Sequence, residues 1–351
     1  MRVVVVGATG NVGTSVLRSL ADEPAVDSIL GVARRLPALG YPKTDWAQAD
    51  VSRDDLGPLL SGADVVVHLA WLIQPGRDEA TLRATNVDGS ARVFEAAAAA
   101  GVPALVYASS VGAYSPGPKD RRVDESWPTK GIESSFYSRH KAEVERLLDR
   151  FERETPSMRV VRLRPGLIFK REAATGIRRL FAGPFLPSPL VRRELIPVVP
   201  RTERLVFQAV HSADVGDAYR LAALTDVRGP FNVAAEPVLD PDELARVMSA
   251  RPIPVHPGLL RAGAVLTYRL RLQPSEPGWL DMGLAVPLMD TTRARRELGW
   301  EPRRGSDDAL RELLEGIRDR AGVDTPPLAR GTSGRLRARE LLTGVGRRAG
   351  L

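Results

Sequence analysis

The 351 residues include no cysteine, and that absence alone excludes disulfides, thiolate metal sites and a thiolate nucleophile. Histidine is almost as scarce. The four that occur, His68, His140, His211 and His256, are scattered without metal-ligand spacing. Aromatic residues make up only 5% of the chain, and no stretch approaches the ~20 apolar residues of a membrane span. The N-terminal run Val3–Val6 ends at Gly7, too short for the apolar core of an export signal. The segment Leu259 to Leu272 is interrupted by Arg261, Arg269 and Arg271, and reads as a core helix, with a helix lying on a membrane surface as the alternative. A cytoplasmic protein with no integral membrane segment is expected.

Lysine is rare too: five of the 50 basic residues. The net charge is +7, but residues 321–351 hold six arginines against Asp324 and Glu340, so four of those charges lie in the tail. Neither a helix-turn-helix pattern nor a basic stripe interleaved with aromatics is present, and a nucleic-acid partner is not expected. Apolar (43%) and charged (26%) fractions are ordinary for a globular chain able to bury a large core.

What the chain does have is alternation. Apolar runs at Arg2–Val6, Ser28–Ala33, Val65–Leu69, Ala104–Ser109 and Arg159–Leu163 read as strands. Helical stretches at Val12–Ala21, Glu79–Ala100 and Phe136–Arg153 separate them. Continuous apolar strands alternating with helices predict an α/β fold, a Rossmann-type doubly wound parallel sheet covered on both faces. Beyond Pro165 the pattern loosens into a smaller, discontinuous C-terminal substrate-binding region. The expected division is a dinucleotide-binding core at 1–165, an insertion at 166–204, a return to the core at 205–234, a substrate-binding region at 235–320 and a basic tail at 321–351.

Glycines 7, 10 and 13 stand where the first strand turns into the first helix. At such a junction glycine permits a tight turn, backbone approach to a pyrophosphate and close strand–helix packing. The helix N-terminus then offers N–H groups and partial positive charge to phosphate. Tyr137 and Lys141 lie four apart and share a helix face, an arrangement suited to acid–base work. An ammonium beside a phenol lowers the phenol's pKa of about 10.

These features resemble the extended short-chain dehydrogenase/reductase family, of the NAD-dependent epimerase/dehydratase type. The resemblance rests on G-x-x-G-x-x-G at 7–13, "ADVSRDDL", His-x-Ala at 68–70, "TNVDGSARVFEAAAAAGV", "LVYASSVGAYSPG", "YSRHK", "RLRPGLIF", "VHSADVGDAY" and "TTRARRELGWEP", over residues 1–318. It implies catalysis by Ser110, Tyr137 and Lys141. It places a dinucleotide on Gly7, Thr9, Gly10, Asn11, Val12, Gly13, Arg34, Arg35, Asp50, Val51, Leu69, Ala70, Asn86 and Pro165, together with Tyr137 and Lys141. NAD-preferring members carry an acid at the end of the second strand. Here Ala33 is followed by Arg34 and Arg35, which suits the 2′-phosphate of NADP, with NAD as the alternative.

The reaction expected is hydride transfer between nicotinamide and a carbonyl or secondary alcohol of a small-molecule substrate. A nucleotide-sugar epimerase with tightly bound NAD and a non-catalytic dinucleotide-binding sensor or scaffold are the alternatives. Arg178, Arg179, Arg192 and Arg193 are available to an anionic substrate. A dehydratase is disfavoured, because Val111 and Gly112 stand where such members carry an Asp-Glu pair. A homodimer is common in the family. His68 reads as structural or cofactor-lining, His140 as a solvated helix residue, Asp214 as a helix cap, and Asp240 or Asp242 as lying near a helix start.

Overall fold

The structure, a computed structural model, describes residues 1–73, 77–181, 198–273 and 275–329. The first half runs β1 (Arg2–Val6), α1 (Asn11–Ala21), β2 (Ser28–Ala33), β3 (Thr44–Gln48), α2 (Gly57–Leu60) and β4 (Val65–His68). It continues through α3 (Glu79–Arg83), α4 (Gly89–Ala99), β5 (Ala104–Ala108), β6 (Arg122–Val123), α5 (Phe136–Glu154) and β7 (Arg159–Pro165). The second half opens with β8 (Leu167–Phe169), α6 (Ala174–Phe181), β9 (Val198–Arg201), β10 (Ala209–His211), α7 (Ser212–Leu224) and β11 (Gly229–Val233). It closes with α8 (Pro241–Met248), β12 (Arg251–Pro254), α9 (Pro257–Arg269), α10 (Gly278–Ala285), β13 (Leu288–Met289), α11 (Thr292–Leu298) and α12 (Ser306–Arg318).

Seven strands form one parallel sheet in the order β11-β7-β5-β4-β1-β2-β3. The order reverses at β1, and open sheets of this kind bind ligands outside the carboxyl ends of the strands at such a switch point. The run of four valines explains the centre of the sheet. Val3 and Val5 join one core with Leu17, Tyr219 and Phe231; Val4 and Val6 join the other with Phe94, Leu105 and Leu148. Side chains alternate between faces with a period of two, so a strand covered on both sides is apolar throughout. Helices α1 and α7 cover the first face, where Gly216 lets α7 approach so closely that an added Cβ would lie 2.7 Å from the Ser15 carbonyl oxygen. A third core gathers Phe169, Val199, Leu239, Leu244, Leu310 and Leu313 from distant stretches of the second half, as a discontinuous region requires.

Five expectations change in detail. Residues 79–100 are helical but broken by a π turn at Ala84–Asp88. No apolar run announces β3, whose half-exposed "TDWAQ" forms the sheet edge. Asp214 does not cap α7: His211 does, its Nδ1 accepting from the Ala213 N–H, while Asp214 is buried and accepts from the Arg304 N–H at 3.1 Å. His140 is not solvated; it is buried against Phe136, 3.6 Å from Glu79 of α3. The segment at 258–272 is not a core helix, because none of the residues of α9 is buried. Asp240, of the two candidates, caps α8, accepting from the Glu243 N–H at 2.8 Å.

Candidate active site

Strand β1 ends at Gly7, which has φ +91°, and its neighbours leave no room for a side chain. A Cβ there would stand 2.6 Å from the Ala70 nitrogen, and one at Gly13 would stand 2.5 Å from the Ala8 carbonyl oxygen. Gly7 and Gly13 are therefore required by the fold itself. Gly10 is different. An added Cβ would find only the Gly7 carbonyl, at 3.4 Å, and the φ of −76° is open to any residue. It stands at the N-cap of α1 and offers no side-chain acceptor to the first-turn N–H groups. A bare backbone beside free donors is a cradle that fits a pyrophosphate. From beneath, Lys170 donates to the Asn11 carbonyl and the Thr14 hydroxyl, each at 2.6 Å. Burial pushes Lys170 down to about 8.

Other residues expected around a dinucleotide fall into two groups. Leu69, Ala70 and Pro165 lie at or just beyond the carboxyl ends of β4 and β7, with Thr9 and Val12 in the loop and first turn after β1. Arg34 and Arg35 follow β2 directly; burial lowers the Arg34 pKa, with the nearby Asp50 carboxylate opposing. Asp50 itself accepts from Ser52, and Val51 is buried. The side-chain amides of Asn11 and Asn86 also bond within the protein, the Asn11 Oδ1 remaining without a partner among the described residues. Asn11 donates to the Ile168 carbonyl at 3.3 Å. Asn86, fully buried in the π turn, both accepts from the Leu72 N–H (2.7 Å) and donates to its carbonyl (2.8 Å). It shapes the loop after β4 through that clamp.

Ser109 and Ser110 follow β5, and Tyr137 lies in the first turn of α5, capped by Ser135. The turn at Val111–Ala113 runs against the phenol ring: a Cβ on Gly112 would meet Tyr137 Cε1 at 2.9 Å and the Met282 sulfur at 3.0 Å. Trp279 lies 4.8 Å from the Tyr137 ring and Trp71 lies 5.9 Å from it, centre to centre. The structure thus brings Ser110, Tyr137 and Lys141 together beneath apolar walls.

Electrostatics differ from the simple expectation. Burial raises the Tyr137 pKa, with the nearby Ser110 hydroxyl opposing. The Lys141 ammonium donates to the Ala108 carbonyl at 2.5 Å and sits 3.4 Å above the Trp71 ring and 5.9 Å from the centre of the Tyr137 ring. Burial pushes Lys141 well below the usual lysine range, with Glu145 opposing. His68 is structural: it is fully buried, held by Ser90 at 3.0 Å, and pushed down to about 3 by burial, so it is neutral.

Beneath the serines lies a charged cluster that no motif identified. Glu145, one turn beyond Lys141, is fully buried and accepts from Arg164 at 2.8 and 2.9 Å, Arg162 at 3.0 Å and Ser109 at 2.5 Å. Burial would raise its pKa, but Arg164 and Arg162 hold it at about 2. The available signal was "RLRP" in an apolar strand, since residues 162 and 164 must share a face. Of the arginines considered for an anionic substrate, Arg178 is buried. Arg192, Arg193 and the side chain of Arg179 lie outside the described residues, as does most of the basic tail.

A family model described as the NAD dependent epimerase/dehydratase family matches residues 3–234. The chain belongs to that family. An uncharacterized protein of Mycobacterium tuberculosis is 27% identical over 327 residues; the match takes in 92% of this chain but only 31% of that relative. The chain thus spans about a third of the length of that relative. A 3 beta-hydroxysteroid dehydrogenase/Delta 5-->4-isomerase of the same organism is 27% identical over 345 residues, 89% of each chain. Among solved structures, MoeE5 in complex with UDP-glucose and NAD superposes with a TM-score of 0.66 at 21% identity, covering 91% of this chain and 99% of that one. This epimerase/dehydratase-family chain therefore has the fold of NAD-binding enzymes. No helix among its described residues is long and apolar enough to cross a membrane.

Proposed function

We propose that this member of the family is an NADP(H)-dependent oxidoreductase that interconverts a secondary alcohol and a carbonyl. The observation that carries the reading is Tyr137, one helical turn from Lys141 and packed against the turn that follows Ser110, at the same carboxyl end of the sheet as the open face of Gly10. The dinucleotide, when bound, supplies or accepts the hydride. Ser110 holds the substrate oxygen. In the reductive direction the Tyr137 O–H gives that oxygen its proton; in the oxidative direction the phenolate takes the proton back. Trp71, Trp279 and Met282 line the Tyr137 ring with apolar surface. Their apolar character suits a hydrophobic alcohol, and the name of the hydroxysteroid dehydrogenase relative points the same way.

Arg34 and Arg35 follow a strand that ends without a carboxylate, which favours the 2′-phosphate of NADP. A nucleotide-sugar epimerase with resident NAD is the second reading, supported by the family's name and by the UDP-glucose and NAD of MoeE5. The test is to denature freshly purified protein and identify the released nucleotide. An empty site or released NADP, followed by NADPH-dependent turnover of a carbonyl, supports the oxidoreductase. Stoichiometric NAD overturns it in favour of the epimerase.

A further inference from the structure

Helix α9 carries its apolar stripe on the wrong side. Leu259, Gly263, Leu266 and Leu270 follow one another at spacings of four, three and four, which places them along one face. A helix of a globular protein turns such a face inward. Here Leu259 is 69%, Leu266 57% and Leu270 59% exposed, and Leu272 follows at 42%. The opposite face meets the protein: Arg261 pairs with Asp281 of α10 at 2.8 Å, and Tyr268 packs against the Arg77 guanidinium. Val198 and Ile253, each 43% exposed, lie on the β9–β12 ribbon that leads into the helix. Six of the eight large hydrophobics exposed among the described residues thus belong to this one stretch of structure.

Its charge has one sign. From Leu244 to Ser275 there is no aspartate or glutamate, whereas Arg246, Arg251, Arg261, Arg269 and Arg271 lie within it. Arg251, Arg269 and Arg271 form no ion pair with any carboxylate among the described residues. An exposed leucine stripe edged by arginines is complementary to an anionic lipid surface: the leucines enter the acyl boundary and the guanidiniums meet headgroup phosphates. The same charge disfavours the other occupants. A second copy would set arginine against arginine, and the arginine-rich tail of this chain would do likewise.

We infer that α9 and its arginines dock the protein on an anionic bilayer. The contact stands independently of the proposed reaction, but it has a consequence for it. Helix α10, directly behind α9, carries Trp279 and Met282 against Tyr137, so the docked face adjoins the wall of the active site.

The experiment is sedimentation of the full chain with vesicles of phosphatidylcholine alone and of phosphatidylcholine and phosphatidylglycerol in equal parts. Binding is expected to the mixed vesicles, weakened by salt. It should fall about tenfold for each of Leu266→Glu and Leu270→Glu, and about fivefold for each of Arg269→Gln and Arg271→Gln. All four positions are exposed, so melting temperatures should not change. Three outcomes overturn the inference. One is no binding to either vesicle. A second is binding that survives both leucine changes but is lost in Arg347→Gln/Arg348→Gln, which assigns the lipid contact to the tail. The third is a dimer, dissociated by Leu266→Glu, that leaves the vesicles unbound. None of these outcomes bears on the nucleotide identified after denaturation.

Discussion

Tyr137 and Glu145 occupy one face of the same helix and contribute different things to the site. Tyr137→Phe removes only the hydroxyl proposed to move the proton, leaving the ring that packs on Gly112 and Trp279. Turnover should fall by roughly 10²–10⁴-fold, the range for loss of a general acid–base, while NADPH binding by fluorescence titration stays within a factor of two or so. Unchanged turnover would remove Tyr137 from the chemistry. Glu145 touches neither the proposed substrate nor the cofactor. Glu145→Gln leaves Arg162 and Arg164 buried without their shared carboxylate, and breaking a buried pair costs about 3–5 kcal/mol. Chemical denaturation of the variant should show that loss at pH 7. The sign follows from the depressed pKa. The contribution is complete above the unfolded value of about 4.3 and disappears as pH falls toward 2, so variant and parent should converge in acid.

The glycine loop is the element in which fold and function separate most cleanly. Gly13→Ala drives a methyl group into the Ala8 backbone at 2.5 Å and should lower the melting temperature with or without nucleotide. Gly10→Ala meets no such obstacle, so it should fold normally and bind NADPH at least tenfold more weakly by titration. Equal binding by Gly10→Ala would mean that no phosphate approaches this loop. The sequence made this loop legible because its spacing has a direct geometric meaning. Central strands were equally plain, since strands buried on both faces are continuous runs of valine, isoleucine and leucine. Edge strand β3 was not, because "TDWAQ" has one covered face and no run to detect; Trp46 makes its place by lying across Gly31. The Glu145 cluster was illegible for another reason. A glutamate on a helix rich in charge looks solvated until the strand carrying Arg162 and Arg164 is known to pass beneath it. Helix α9 was misread because its stripe is periodic, and periodicity does not say which way a face points.

Across the whole molecule, the shifted ionisable groups predict an unusual pH optimum for stability. Folded proteins are commonly most stable between about pH 5 and 8. Here three lysines are depressed, Lys141 and Lys170 buried and Lys119 half-buried: Lys119 to about 7, Lys170 to about 8, and Lys141 well below its usual range, each chiefly by desolvation. A lysine whose folded pKa lies below its unfolded value binds its proton more weakly in the folded state. Its contribution is therefore fully present above the unfolded value of about 10.4 and is lost as pH falls through the folded value. Tyr107, Tyr114, Tyr137 and Tyr219 have the opposite effect. All are raised, chiefly by burial, so the unfolded chain ionises first and stability drops once pH passes about 10. The two slopes meet between about pH 9 and 10, where the melting temperature should be highest. A scan by calorimetry from pH 6 to pH 11, at constant ionic strength, measures the curve. Lys119 offers the cleanest dissection, because it donates only to the Val206 and Gly283 carbonyls, at 2.6 and 2.9 Å, between the turn before β10 and the end of α10. Lys119→Met carries no titrating group there and should flatten the rise between pH 7 and 9. A parent curve that peaks below pH 8, or a variant with the parent's slope, would mean that water reaches these lysines and that desolvation does not depress them.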